Sequence, residues 1–187
     1  MNVFRAAAVA VASFLAAGQV ALAQDKSPPK AVLDLAPQLA AFGKDPVLVA
    51  AVKARNAKGE TVEQAKALHK KWASTQGLDD FMKSIQNNPA GDKLREILKS
   101  KPYFVEAFLM DKNGSNVAMG AKTSNYWRGA SPKFVEAYKG GKGATYVTPV
   151  SFDESSQAYT SQISVPVMDG KTCIGVLTLG VDAAKVK

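Results

Sequence analysis

From Tyr159 to Val181 the chain can hardly fold as anything but a long β-hairpin. Tyr159, Ser161, Ile163, Val165 and Val167 alternate with their neighbours and fall on one face of an extended strand. Asp169-Gly170 is a tight-turn pair, and Thr172 to Val181 returns as a second strand. An earlier pair has the same design. Tyr103 to Met110 is rich in aromatic and branched residues, Asp111-Lys112-Asn113-Gly114 turns, and Ser115 to Gly120 comes back. Ala144 to Val150 adds a further strand. Pro166 lacks the N–H that a ladder needs, so its strand must run along an edge or carry a bulge there.

Upstream the period changes to that of helices. Leu35, Leu39 and Phe42 share one helical face, with Pro37 demanding a kink or a late start. Asp45-Pro46 is a cap followed by a first-turn proline, and Gly59 closes that helix. Thr61-x-x-Gln64 is a capping-box pattern ahead of Ala65, Leu68 and Trp72. A short helix starts at Asp79 or Asp80, and Asn88-Pro89 caps another with Leu94, Ile97 and Leu98 inside. Between the strand pairs, Ser131-Pro132 opens a helix holding Phe134, Val135 and Tyr138, and Gly140-Gly141 ends it. Helices followed by hairpins predict an α+β fold with an antiparallel sheet. The helical region 31–101 and the sheet region 102–187 are expected to share one core.

The first residues belong to export. Arg5, the apolar run Ala6 to Ala17 and the A-x-A site Ala21-Leu22-Ala23 form a signal-peptide pattern, with cleavage expected after Ala23. Gln24 to Lys30 reads as a flexible leader. The apolar run is too short to span a bilayer as a helix, and no later run is long enough, so a periplasmic protein is expected. Cys173 is the only cysteine, which excludes an internal disulfide. The formal charge of +8 comes mostly from lysines mixed with acids on helix exteriors. That pattern reads as a solvated surface, and no nucleic-acid partner is expected.

Catalytic chemistry is poorly provided for. His69 is the only imidazole and lies far in sequence from Cys173, so a nucleophile–base pair is not in view. Two such ligands do not make a structural zinc site, and no metal or other cofactor is expected. Asp153-Glu154 has no partner carboxylate at a recognisable spacing. Gly140-Gly141-Lys142-Gly143 follows a helix rather than a strand, which argues for a cap and against a phosphate loop. A binding protein, not an enzyme, is the expectation. Tyr126, Trp127 and Arg128 join flat apolar rings to a forked cation that pairs well with carboxylates. Tyr146, Asp153 and Tyr159 place polar tips on the following strands.

These residues also carry a resemblance. Phe104 to Gly114, Thr123 to Trp127, Lys133-Phe134, Tyr138, Phe152 to Ser155, Ile163 to Val167, Ile174-Gly175 and Gly180 to Asp182 resemble extracytoplasmic PAS-like sensor domains of the Cache type. The resemblance implies a five-stranded antiparallel sheet carrying the N-terminal helices, with a pocket between the sheet and the Tyr126 to Tyr138 segment. It implies a small ligand, an organic acid or an amino acid, and a membrane sensor kinase or chemoreceptor as partner. It adds Asp182 as a ligand residue. Amino-acid-binding members place an arginine before a Trp-Tyr pair, whereas here Arg128 follows Tyr126-Trp127. The chain ends at Lys187 without a membrane helix, which suggests a separate signalling partner. The other reading open at this point is an envelope interaction module that docks through its basic helical surface.

Overall fold

The computed structural model describes residues 27–153 and 157–187. The expected signal peptide, Gln24 to Lys26 of the leader, and Glu154 to Ser156 lie outside the described residues. Among the described residues five helices come first: α1 (Lys30–Leu39), α2 (Pro46–Ala57), α3 (Val62–Ser74), α4 (Asp80–Gln86) and α5 (Pro89–Ser100). The strands β1 (Phe104–Met110) and β2 (Asn116–Met119) follow, then α6 (Pro132–Tyr138). Four strands complete the chain: β3 (Tyr146–Val147), β4 (Ser151–Asp153), β5 (Ala158–Asp169) and β6 (Thr172–Asp182).

The caps behave as their chemistry requires. Asp45 accepts from the amides of Val47 and Leu48, and Thr61 and Gln64 exchange both bonds of a capping box. Asp79 and Asn88 cap α4 and α5. Ser131 precedes α6 but makes no side-chain cap bond. Pro37 is tolerated inside α1, and the chain tightens just after it into a 3-10 turn at Ala40–Lys44.

All pairings in the sheet are antiparallel, in the order β2-β1-β6-β5-β3, with β4 continuing the β3 edge along β5. The sheet therefore has the expected five positions, but the outer one is split. Thr148 still bonds Gln162 through its amide (2.9 Å) and through Oγ1 (2.9 Å). Pro149 then has no N–H to continue the ladder, and β4 begins two residues later. Pro166 is accommodated by the same edge. It pairs with β6 on one side, while β3 reaches only as far as Ser164 on the other.

Each face of the sheet is covered differently. Leu109, Ile163, Val165, Leu177, Leu179 and Val181 pack against α1, α2 and α5. Gly43 lets the 3-10 turn lie directly on β5, because a Cβ there would sit 2.1 Å from the Pro166 carbonyl oxygen. The opposite face carries Phe108, Met110, Met119 and Val176 beneath Trp72, Met82, Tyr126 and Phe134. The site lies on that second face.

Candidate functional site

Two rows of side chains cross the second face. Register aligns Phe108 with Thr178, Thr178 with Ser164, and Ser164 with Tyr146. The neighbouring row runs from Glu106 through Gly180 to Gln162, where Thr148 joins. Strand alternation would let these positions be apolar, yet most are polar. Ser164 and Thr178 bond each other at 2.8 Å while fully buried, and Gln162 donates to Glu106 at 2.7 Å.

The segment above these rows is tied down by the first hairpin. Gly114 has φ of +82°, and a Cβ on it would lie 2.6 Å from Gly129. The two backbones can therefore cross, with the Arg128 amide donating to the Gly114 carbonyl at 2.8 Å. Ser115 and Trp127 form an antiparallel bridge, and the Asn116 amide donates to the Tyr126 carbonyl at 2.9 Å. The segment then turns into α6, with Lys133 in its first turn.

This path drives Arg128 inward. Its side chain is only 7% exposed. Nη1 donates to the Asn125 carbonyl at 2.5 Å and to Asn116 Oδ1 at 3.1 Å, and the guanidinium carbon sits 4.2 Å from the Phe108 ring centre. Among the described residues no carboxylate comes within ion-pair distance of it. Burial pushes its pKa down to about 10, which the charge of Glu106 only partly opposes. Lys133 stands over the same ring, its Nζ 5.9 Å from the centre. Burial first, and then the Arg128 charge, lower its pKa, against smaller contributions from Glu106 and Asp153. Two poorly solvated cations thus share one wall, which is costly unless an anion joins them.

Lys133 separates two hollows. One, of about 410 Å³, lies between Trp127, Arg128, Ser131 and the α3 residues Lys66, His69 and Lys70. The other, of about 360 Å³, is bounded by Thr148, Phe152, Asp153, Thr160 and Gln162. In the first, Lys66 Nζ lies 5.2 Å from the Trp127 ring centre, and His69 Nδ1 is buried with no hydrogen bond among the described residues. The Trp127 indole is oriented by its Nε1 donating to the Asn113 carbonyl at 2.8 Å.

The residues predicted from sequence are thus divided. Trp127, Arg128 and Asp153 line these hollows, and Tyr146 lies on the same sheet face beneath α6. Tyr126 does not line them. It is fully buried, with its ring 5.6 Å from Trp72 and 5.4 Å from Phe81. Its hydroxyl contacts Arg55 and lies 3.0 Å from both Glu60 oxygens. Burial raises its pKa. Tyr159 pairs with Phe152, stacks edge-on against it, and is 60% exposed on the other side of the β4–β5 edge. Asp182 lies at the end of β6, where Lys185 (2.9 Å) and the Ala184 amide (3.1 Å) engage it and lower its pKa. Cys173 is buried and donates to the Gly175 carbonyl, its pKa raised by burial.

Sequence reasoning gave no ligand role to Lys133, His69, Phe108 or Gln162. Besides its place in a family-like motif, Lys133 left a physical trace: a lysine in the first turn of a helix opposes the helix dipole. His69 left none, because the partners that bury it come from the segment 60 residues downstream.

No family model matches the chain, and no curated protein does. Among solved structures, the sensor domain of the V. cholerae histidine kinase DctB is similar. It is 15% identical, with 84% of this chain and 51% of that chain covered and a TM-score of 0.49. The sensory domain of the Campylobacter jejuni chemoreceptor Tlp3 is 17% identical, with 84% and 64% covered and a TM-score of 0.43. A structure of the Tlp3 ligand-binding domain in complex with L-valine is 18% identical, with 84% and 66% covered and a TM-score of 0.40. The first is a sensor domain of a histidine kinase, and the other two are from a chemoreceptor. The chain spans between 51% and 66% of the length of the three chains.

Proposed function

We propose that this chain is a small-molecule-binding sensory domain of the Cache type, acting outside the cytoplasm together with a separate signalling protein. Its ligand is a small anionic metabolite, an organic acid or amino acid, whose carboxylate pairs with Arg128 and Lys133. Trp127 walls the site, and Asp153, Tyr146 and Gln162 orient the rest of the ligand. One observation carries this reading: a guanidinium nine-tenths buried, held by neutral acceptors and lacking a carboxylate among the described residues. Such a group is stabilised by a bidentate anion more than by anything already around it. Hollows of this size, with a few convergent polar groups, suit metabolites.

A thermal-shift panel of mono- and dicarboxylates and amino acids tests it. A ligand at a hundredfold its Kd stabilises by about 2.7 kcal/mol, enough for a shift of several degrees. The expected result is a shift with at least one acid that disappears in Arg128→Ala and shrinks in Lys133→Gln. A panel without any shift, or a shift that both variants retain, would sink the assignment. A docking module would instead give no ligand shift and a salt-sensitive capture of a membrane protein.

A further inference from the structure

A larger hollow, of about 610 Å³, lies between α2 and α4 and shares no lining residue with the two hollows beside Lys133, although Asn116, which Arg128 bonds, reaches it. It exists because α2 presents alanines there: Ala50, Ala51 and Ala54 fall on one helical face and leave open the space that larger side chains would fill. Phe81 forms the facing wall, and Ile85 and Val117 form a buried apolar floor. The groove follows α2 for roughly 18 Å, from Pro46 at one end to Lys58 at the other. Its walls are hydrocarbon along most of that length.

Charge distinguishes its two ends. At the Pro46 end the rim is Pro46, Val47 and Pro89. At the other end stand Arg55 and Lys58, three residues apart on the same helix face. Arg55 is neutralised from the core side: Nη2 bonds Glu60 at 2.6 Å, and Nε lies 3.8 Å from Asp111. Among the described residues, neither that buried Nε nor Nη1 makes a hydrogen bond. Lys58 is exposed and enters no ion pair among the described residues. An apolar trough with an uncompensated cation at one end matches a molecule with a hydrocarbon tail and an anionic head.

We infer that the α2–α4 groove binds a single-chain amphiphile with a carboxylate head, a medium-chain fatty acid. The head meets Lys58 and the outer edge of Arg55, and the tail runs along the alanines toward Pro46. This site is separate from the Arg128 cleft and stands whether or not the proposed metabolite binds there.

The probe is dodecanoate, titrated into the full chain by calorimetry below its micelle concentration. Saturable binding is expected, at least tenfold weaker in Ala54→Phe, whose new ring fills the trough from an exposed position. Ala50→Leu does the same from the next turn if the first variant misfolds. Lys58→Glu is expected to weaken dodecanoate at least fivefold, and dodecanol is expected to bind less tightly than dodecanoate. Arg128→Ala is expected to leave dodecanoate binding intact. Absent saturable binding, or binding that Ala54→Phe and Ala50→Leu both leave unchanged, would overturn the site. Equal binding of dodecanol would overturn the carboxylate class. Loss of binding in Arg128→Ala would move the tail to the other cleft and overturn the groove.

Discussion

The two faces of this sheet are built from the same strands and serve opposite purposes. Toward α1, α2 and α5 the alternating residues are Leu109, Ile163, Val165, Leu177 and Leu179, with the buried Ser161 next along β5. Toward α6 their immediate neighbours are Phe108, Gln162, Ser164 and Thr178, beneath Arg128 and Lys133. Apolar area removed from water stabilises by roughly 25 cal/mol per Å², and the larger of the two buried apolar clusters lies on the first face. The second gives up that gain at its centre. A buried polar row that does not improve folding is a reason to look for a ligand.

Substitutions at adjacent residues can break this contrast. Leu177→Ala opens a cavity against the helices and is expected to cost about 2–5 kcal/mol in urea denaturation. Thr178→Val, one residue on and facing the other way, strands the Ser164 hydroxyl and is expected to cost about 1–3 kcal/mol. The pair Thr178→Val with Ser164→Ala removes both partners and is expected to return close to wild type. If the double variant is as unstable as Leu177→Ala, the second face matters to folding as much as the first, and the contrast fails.

Arg128→Met is the next smaller effect and carries the opposite sign. It removes a poorly solvated charge, relieves Lys133, and keeps an unbranched side chain over Phe108. Replacing a buried ion by an apolar group of similar volume is often neutral or stabilising. The unliganded variant is therefore expected to melt within about 1 kcal/mol of wild type or above it, while losing every acid-induced shift. A cost of several kcal/mol would mean that Arg128 is a structural post.

How much of this was legible depends on how far apart the interacting residues lie. The hairpins, the caps at Asp45, Thr61, Asp79 and Asn88, and the α+β order come from local chemistry, and each is visible in a few consecutive residues. Pro166 was legible as an edge or bulge position, and the split of the outer strand at Pro149 follows from the same rule. Arg128 and Trp127 could be singled out by composition. Tyr126 could not be separated from them, because Arg55 and Glu60, which hold its hydroxyl in the core, lie some 70 residues away. Tyr159 was assigned to the face of Ile163 by alternation, but only the position of the sheet edge decides whether that face is covered there.

The smallest expected effect concerns pH, and it isolates Lys133. Both cations have pKa values below their ordinary ones, Arg128 at about 10, with burial as the main cause. In the unliganded protein this is a penalty on the charged forms. Between the lowered and the ordinary pKa the unfolded chain holds more protons, so stability rises with pH in that window. A bound carboxylate reverses the balance, since it favours both charged forms, and so affinity falls as pH climbs through the lowered values. Kd for the best acid, measured from about pH 7 to about 10, should therefore begin to weaken before an ordinary lysine titrates. In Lys133→Gln the affinity starts lower, but the early loss disappears and only the fall near the Arg128 pKa is left. Parallel profiles for wild type and Lys133→Gln would remove Lys133 from the site while leaving Arg128 in it. The polar face would then hold its ligand with a single cation.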